Sequence, residues 1–295
     1  MSTSECVGFI GLGAMGEPMA RHLHRAGLLT AVCNRSPGRA HALAEELGVT
    51  AVEGPSALAN HCDIIVSCVT ADRDVLGIAG TLASCGHAGL LLIDTSTIAS
   101  ATARESARLL AGSECAFVDA PVSGGVEGAR NGKLSVMVGG SETDVSRARH
   151  VLEAFAARVT HMGPLGAGQD TKAVNQVLVA GIAEAVCEGL ALAKAIGLDR
   201  DRLLAVLTGG AANSWFLEKR GATMWDDSFS VGFKQSLLLK DLEIVRQLSV
   251  TAGTARTVVT RALEDYAQLV ASGHGDDDIS GLIRIKHPNT GESEG

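Results

Sequence analysis

The turn Gly11-Leu12-Gly13-Ala14-Met15-Gly16 stands near the start of the chain, directly after the apolar run Val7–Ile10 and before a stretch of helical pattern. Its spacing has a physical reading. Gly11 permits a tight turn, Gly13 lets a phosphate approach the backbone, and Gly16 allows the helix to lie close against the strand. The free N–H groups and partial positive charge at the helix start suit the pyrophosphate of a dinucleotide. The second apolar run ends in Asn34-Arg35-Ser36, where a site for an unphosphorylated ribose usually carries Asp or Glu. A guanidinium and a hydroxyl suit a 2′-phosphate instead, so NADP is expected over NAD. Arg39 follows one helical turn further on.

Two more groups of residues could carry chemistry. In Asp119-Ala120-Pro121-Val122-Ser123-Gly124-Gly125, the Ser123 hydroxyl and the N–H groups of Gly124 and Gly125 would form a small anion nest suited to a carboxylate. A plain glycine-rich turn is the other reading of the same residues. The following segment is no P-loop, because Glu127 and Leu134 replace its first glycine and its Ser/Thr, and Ser123 does not sit in a G-x-S-x-G elbow. Lys172, Asn175 and Gln176 lie at i, i+3 and i+4 and project from one helix face. A lysine on an apolar helix is a candidate proton donor, since desolvation lowers its pKa toward neutrality, although a solvated lysine fits the spacing equally well.

The remaining polar residues have plainer readings. No histidine pairs with Cys, Asp or Glu at metal spacing, so no metal is expected. His22 and His24 read as surface residues, His161 as structural at a strand end, and His274 as part of a solvated turn. Asp276–Asp278 reads as a solvated turn or a helix cap, with a contact to a residue over the cofactor as a second reading. Trp215 and Trp225 read as packing residues.

These groups must be positioned by a regular framework. Apolar runs at Val7–Ile10, Ala31–Asn34, Ile64–Val69, Leu90–Asp94, Ala116–Asp119, Ser135–Val138 and Val159–Met162 alternate with helical stretches at Met15–Ala26, Gly38–Leu47, Ala99–Leu110 and Glu142–Phe155. The first five are near-continuous, as parallel strands buried on both faces require. After Gly163-Pro164-Leu165-Gly166 the pattern turns helical throughout. A proline-free stretch over about 169–196 would form a helix about 42 Å long. Further segments follow at Asp199–Leu207, Ser236–Ser249, Thr254–Ala271 and Asp277–Ile285. The expected class is α/β: a Rossmann-type doubly wound N-terminal domain over 1–164 and an all-α C-terminal domain over 165–295, joined by a long interdomain helix.

Composition bounds the function. The chain of 295 residues carries a formal charge of −8, which argues against a nucleic-acid partner bound through a broad basic field. No uninterrupted apolar run reaches the roughly 18–20 residues of a membrane span, so no membrane partner is expected. The start, Met1–Cys6, has no basic n-region, and the polar ending His287–Gly295 is expected to fray. Seven cysteines lie scattered without a C-x-x-C pair, and Cys6, Cys33 and Cys68 sit in apolar runs, so a reduced, cytoplasmic protein is expected.

Taken in order, Gly8–Ala20, Asp119–Gly125, Gly166–Gln176, and Phe233 with Lys240-Asp241-Leu242 resemble the motifs of the β-hydroxyacid dehydrogenases. That family includes 3-hydroxyisobutyrate dehydrogenase, 2-hydroxy-3-oxopropionate reductase, glyoxylate and succinic semialdehyde reductases and L-threonate dehydrogenase. The resemblance implies hydride exchange between NADP and a short hydroxyacid or semialdehyde, with Lys172 as general acid/base. It assigns Ser123, Gly124, Gly125, Asn175 and Lys240 to the substrate, with Thr97 helping to orient it. It assigns Gly11, Leu12, Gly13, Ala14, Met15, Gly16, Asn34, Arg35, Ser36, Val69, Thr70, Thr97, Phe233, Lys240 and Asp241 to the cofactor. A homodimer or homotetramer is implied as well. The His-Asn-Gly-Ile-Glu-Tyr segment of the related 6-phosphogluconate dehydrogenases is absent, and imine reductases normally lack a lysine at the position of Lys172. A dinucleotide sensor or scaffold on the same fold is the rival from outside enzymology.

Overall fold

The computed structural model describes residues 5–286; His287–Gly295 and Met1–Ser4 lie outside the described residues. The chain divides into two compact units, Met1–Lys172 and Ala173–Gly295.

The first unit alternates strands and helices: β1 (Val7–Ile10), α1 (Gly16–Arg25), β2 (Leu29–Cys33), α2 (Pro37–Leu47), β3 (Thr50–Ala51), α3 (Pro55–Ala59), β4 (Ile64–Ser67) and α4 (Asp72–Cys85). It continues through β5 (Leu91–Asp94), α5 (Ser100–Ala111), β6 (Ala116–Asp119), β7 (Val122–Ser123), α6 (Gly125–Arg130), β8 (Leu134–Gly139), α7 (Glu142–Glu153) and β9 (Ala156–Gly163). The sheet runs β3-β2-β1-β4-β5-β6-β8-β7, with β9 beside β8. From β3 to β6 every pair is parallel. Side-chain alternation explains why the central runs are apolar throughout. Val7, Phe9, Ile64, Val66, Leu91 and Ile93 enter one core, whereas Ile10, Ile65, Leu92 and Phe117 enter another.

Some elements were hidden in the sequence. β8 pairs antiparallel with both β6 and β7, an orientation that an apolar run cannot announce. β3 and β7 have two residues each, too few to show a period. α4 contains Gly77 and Gly80, which weaken its helical pattern.

The helix α8 (Ala167–Ala195) starts in the first unit and continues into the second, which also holds α9 (Arg200–Thr208), α10 (Trp215–Trp225), α11 (Gln235–Ala252), α12 (Thr257–Leu269) and a 3₁₀ helix, Ile279–Ile285. Ala180, Ala183, Cys187 and Leu190 of α8 pack with Leu238, Leu242, Ala262, Tyr266 and Leu282 in one core. The Tyr266 hydroxyl donates to the Ile279 carbonyl at 3.0 Å. Another face of α8 is apolar and exposed, with Val174 and Leu178 each 61% accessible.

By length and composition α8 is apolar enough to cross a membrane, with a window of mean hydropathy 1.6, although its apolar run is not unbroken. Asn175, Gln176 and Glu184 interrupt the run, and all three engage inside the second unit. Two sequence expectations need correction. Trp215 is 52% exposed, with the Arg220 guanidinium 5.6 Å from its ring centroid, and is not a buried packing residue; Trp225 does pack against the core. Cys33 is buried as expected, but Cys6 and Cys68 are only half-buried.

Candidate active site

The glycine turn lies where the strand order reverses, because β1 has β2 on one side and β4 on the other. Gly11 adopts φ +95°, and a Cβ there would fall 2.1 Å from the Cys68 carbonyl oxygen. A Cβ on Gly16 would fall 1.8 Å from the Gly11 oxygen. Neither position admits a side chain. Gly13 differs: it is exposed, and a Cβ there would meet nothing within 4 Å. The turn is therefore closed on the inside by backbone, that of Cys68 at Gly11 and its own at Gly16, and is open at Gly13 and Ala14, which fits the approach of a pyrophosphate. Leu12 and Gly16 are buried, and Met15, just before α1, is half-buried.

Asn34 and Arg39 brace this turn. The Leu12 N–H donates to Asn34 Oδ1 at 2.9 Å, and Arg39 Nη1 donates to the Leu12 carbonyl at 2.8 Å. Asn34 Nδ2 also donates to the Ser36 carbonyl at 3.2 Å. The Asn34 amide thus shapes the loops, while Arg35 and Ser36 face outward.

The ends of β4 and β5 meet in a buried network. The Ser67 and Ser96 hydroxyls donate to Asp94 Oδ1 at 2.8 and 2.7 Å, and the Val69 N–H donates to Ser96 Oγ at 2.9 Å. Thr70 is exposed beyond it, and Thr97 is half-buried. Asp94 is fully buried, and its Oδ2 has no hydrogen-bond partner among the described residues. Burial outweighs the bonds from Ser96 and Ser67 and pushes its pKa up to about 6. The folded value lies above the unfolded one, so the stability linked to this proton is complete below the usual carboxylate range and is lost as pH rises through about 6. Asp94→Asn is therefore expected to gain up to about 2–3 kcal/mol on wild type at pH 8, with the gap narrowing toward pH 5. Thermal melts at both pH values check this, and a gap independent of pH would refute it.

Asp119, the last residue of β6, has a role that the sequence did not suggest. Its Oδ1 accepts from the Gly166 N–H at 2.8 Å and its Oδ2 from the Gln169 N–H at 2.9 Å, capping α8. A Cβ on Gly139 would lie 2.5 Å from Asp119 Oδ1, and one on Gly168 would lie 2.7 Å from Oδ2. These glycines make room for the protein's own carboxylate. Burial raises the Asp119 pKa against the opposing hydrogen bonds from Gly166 and Gln169. Ser123, Gly124 and Gly125 follow at the junction of β7 and α6, with φ +131° at Gly124 and +62° at Gly125, conformations that favour glycine. Lys172 is 7% exposed in the second turn of α8.

In the second unit, Asn175 Nδ2 donates to Gln176 Oε1 at 2.8 Å, and Gln176 Nε2 donates to Asp241 Oδ2 at 2.8 Å. The Lys240 ammonium pairs with Asp241 Oδ1 at 2.9 Å. Asp241 is buried, and its carboxylate is occupied in holding these side chains together. Phe233 belongs to another segment. Its N–H donates to Asp278 Oδ2 at 3.0 Å, and the Gly232 N–H donates to the same oxygen at 2.7 Å. Asp278 also caps the 3₁₀ helix through Ser280, so one acid of the 276–278 run is a cap that organises the Phe233 turn. Asp277 bonds Arg284 and His274, and Asp276 bonds Lys234. The sequence reading names Gln176 for its helix face but not its bond to Asp241, and it gives no role to the Ser96–Asp94 network, Gln169 or Arg220. Gln169 stands at i−3 from Lys172, a spacing that could have drawn notice.

A glycine turn shaped for a dinucleotide at the point where the strand order reverses defines a dinucleotide-binding fold. Residues 6–163 match the family model for the NAD binding domain of 6-phosphogluconate dehydrogenase, and residues 166–286 match the NAD-binding model of NADP-dependent 3-hydroxyisobutyrate dehydrogenase. The chain is 35% identical over 281 residues to 2-hydroxy-3-oxopropionate reductase of Escherichia coli K12, covering 94% of this chain and 96% of that one. Among solved structures, Mycobacterium tuberculosis 3-hydroxyisobutyrate dehydrogenase with L-serine superposes with a TM-score of 0.86 at 32% identity, over 96% of this chain and 99% of that one. Psf3 in complex with NADP+ and 2-OPP gives a TM-score of 0.87 at 26% identity, over 95% and 99%. The chain belongs to the β-hydroxyacid dehydrogenase family.

Proposed function

We propose that the protein is an NADP-dependent dehydrogenase of the 3-hydroxyisobutyrate type, interconverting a short hydroxyacid and its semialdehyde. The observation that carries this reading is Lys172, an ammonium-bearing side chain held 7% exposed on an apolar helix. When bound, the nicotinamide supplies the hydride chemistry. Lys172 gives its Nζ proton to the carbonyl oxygen during reduction and takes the hydroxyl proton during oxidation. Ser123, Gly124 and Gly125 hold the substrate carboxylate, Asn175 and Thr97 orient it, and Lys240 adds positive charge, steadied by Asp241. The turn Gly11–Gly16, with Val69, Thr70 and Phe233, holds the cofactor. The reductase from E. coli and the M. tuberculosis dehydrogenase, as named, support this substrate class. The NADP+ of the Psf3 complex and the outward Arg35 and Ser36 support the cofactor.

Steady-state turnover with NADPH and NADH tests the reading. The panel comprises methylmalonate semialdehyde, tartronate semialdehyde, succinic semialdehyde and glyoxylate with the reduced cofactors, and threonate with NADP+ and NAD+. NADPH is expected to win, and Arg35→Ala should raise its KM by about 10- to 100-fold, the worth of a charged hydrogen bond, with little change for NADH. Equal use of both cofactors by wild type would overturn the NADP assignment. NADPH binding with no turnover on any substrate would favour the sensor.

A further inference from the structure

Within the first unit, one hydrogen-bonded chain connects the strand ends expected to meet the cofactor with the helix that carries Lys172. It begins at the Val69 N–H, which donates to Ser96 Oγ, and Ser96 Oγ donates to Asp94. From the same loop, the Ser96 carbonyl accepts from Gln169 Nε2 at 2.8 Å, and the Ile98 N–H donates to Gln169 Oε1 at 3.2 Å. The two ends of one buried amide therefore bracket Thr97. The main chain of Gln169 is fixed as well, because its N–H donates to Asp119. Lys172 follows at i+3 on the same helix, so Gln169 refers the height and rotation of its turn to the Thr97 loop.

We propose that Gln169 is a positioning residue for the reaction: its amide sets the register between the Thr97 loop and the Lys172 turn. The inference rests on the reading of Lys172 as acid/base. An amide suits the task because it offers one donor and one acceptor in fixed order. A slip or rotation of the first turn of α8 would break both bonds and strand a buried N–H and a buried C=O. The consequence is kinetic, since a misplacement of about 1 Å in a reacting group costs on the order of 100-fold in rate.

The test compares Gln169→Glu, Gln169→Ala and Lys172→Ala in the full chain. An ionised Glu still accepts from the Ile98 N–H but faces the Ser96 carbonyl with a second acceptor. Burial raises the pKa of such a carboxyl, and once protonated it offers a donor and an acceptor, as Gln does. At pH 8, Gln169→Glu is expected to lose about 10- to 100-fold in kcat, with the NADPH dissociation constant kept within about threefold. Toward pH 5.5 its kcat relative to wild type should recover by about tenfold, while Gln169→Ala stays low at every pH. The inference falls if Gln169→Ala keeps kcat within about twofold of wild type while Lys172→Ala loses it. It falls equally if both Gln169 variants lose NADPH binding and melting temperature together with no acid recovery, the mark of a merely structural residue. Turnover that survives in Lys172→Ala would remove the acid/base assignment and this inference with it, an outcome told apart by that variant alone.

Discussion

Lys172→Ala is expected to lower kcat by about 100- to 10,000-fold while NADPH still binds. The lysine is 7% exposed in the second turn of α8, so truncation removes the proposed proton donor from a sheltered position. The cofactor turn at Gly11–Gly16 lies in a different part of the chain and keeps its bracing by Asn34 and Arg39. Lys172→Arg separates charge from proton transfer. A guanidinium keeps the positive charge but does not give up its proton near neutral pH. Both variants should therefore fall by similar factors if proton delivery dominates. If arginine restored most of the rate, charge alone would be the contribution. Single-turnover kinetics with bound NADPH measure this directly, and wild-type kcat in Lys172→Ala would sink the assignment.

Asp278→Ala is expected to destabilise the protein by about 3–5 kcal/mol. Asp278 is buried and accepts from the N–H groups of Gly232 and Phe233 and from both Ser280 donors, with the Arg220 guanidinium 3.5 Å away. Alanine leaves these donors and a mostly buried guanidinium without that acceptor, and such a loss costs far more than an exposed ion pair returns. Asp278→Asn keeps the shape and one acceptor oxygen, so it should cost roughly half as much. Denaturant titration of both variants measures the loss. A change below about 1 kcal/mol in Asp278→Ala would show that the Phe233 turn is held by other means.

Much of the site could be read locally. The reasons for Gly11, Gly13 and Gly16 follow from the chemistry of one turn, and the spacing of Lys172, Asn175 and Gln176 follows from one helix. The strands β1 and β6 were legible to the residue, because parallel strands buried on both faces leave an unbroken apolar run. Other glycines were harder to interpret. Nothing local marks Gly139 and Gly168, which approach the carboxylate of Asp119.

The sequence by itself determined the αβ alternation, the dinucleotide turn, the helical second half and the candidate lysine, because each is written in the types and spacing of neighbouring residues. Only the tertiary structure decided which polar side chains serve others. Asp119 reaches Gly166 across 47 positions, Gln169 reaches Ser96 across 73, and Gln176 reaches Asp241 across 65. A buried donor or acceptor must find a partner somewhere, but no local period says where. The partner is chosen by the strand order and helix packing that bring distant segments within hydrogen-bond reach.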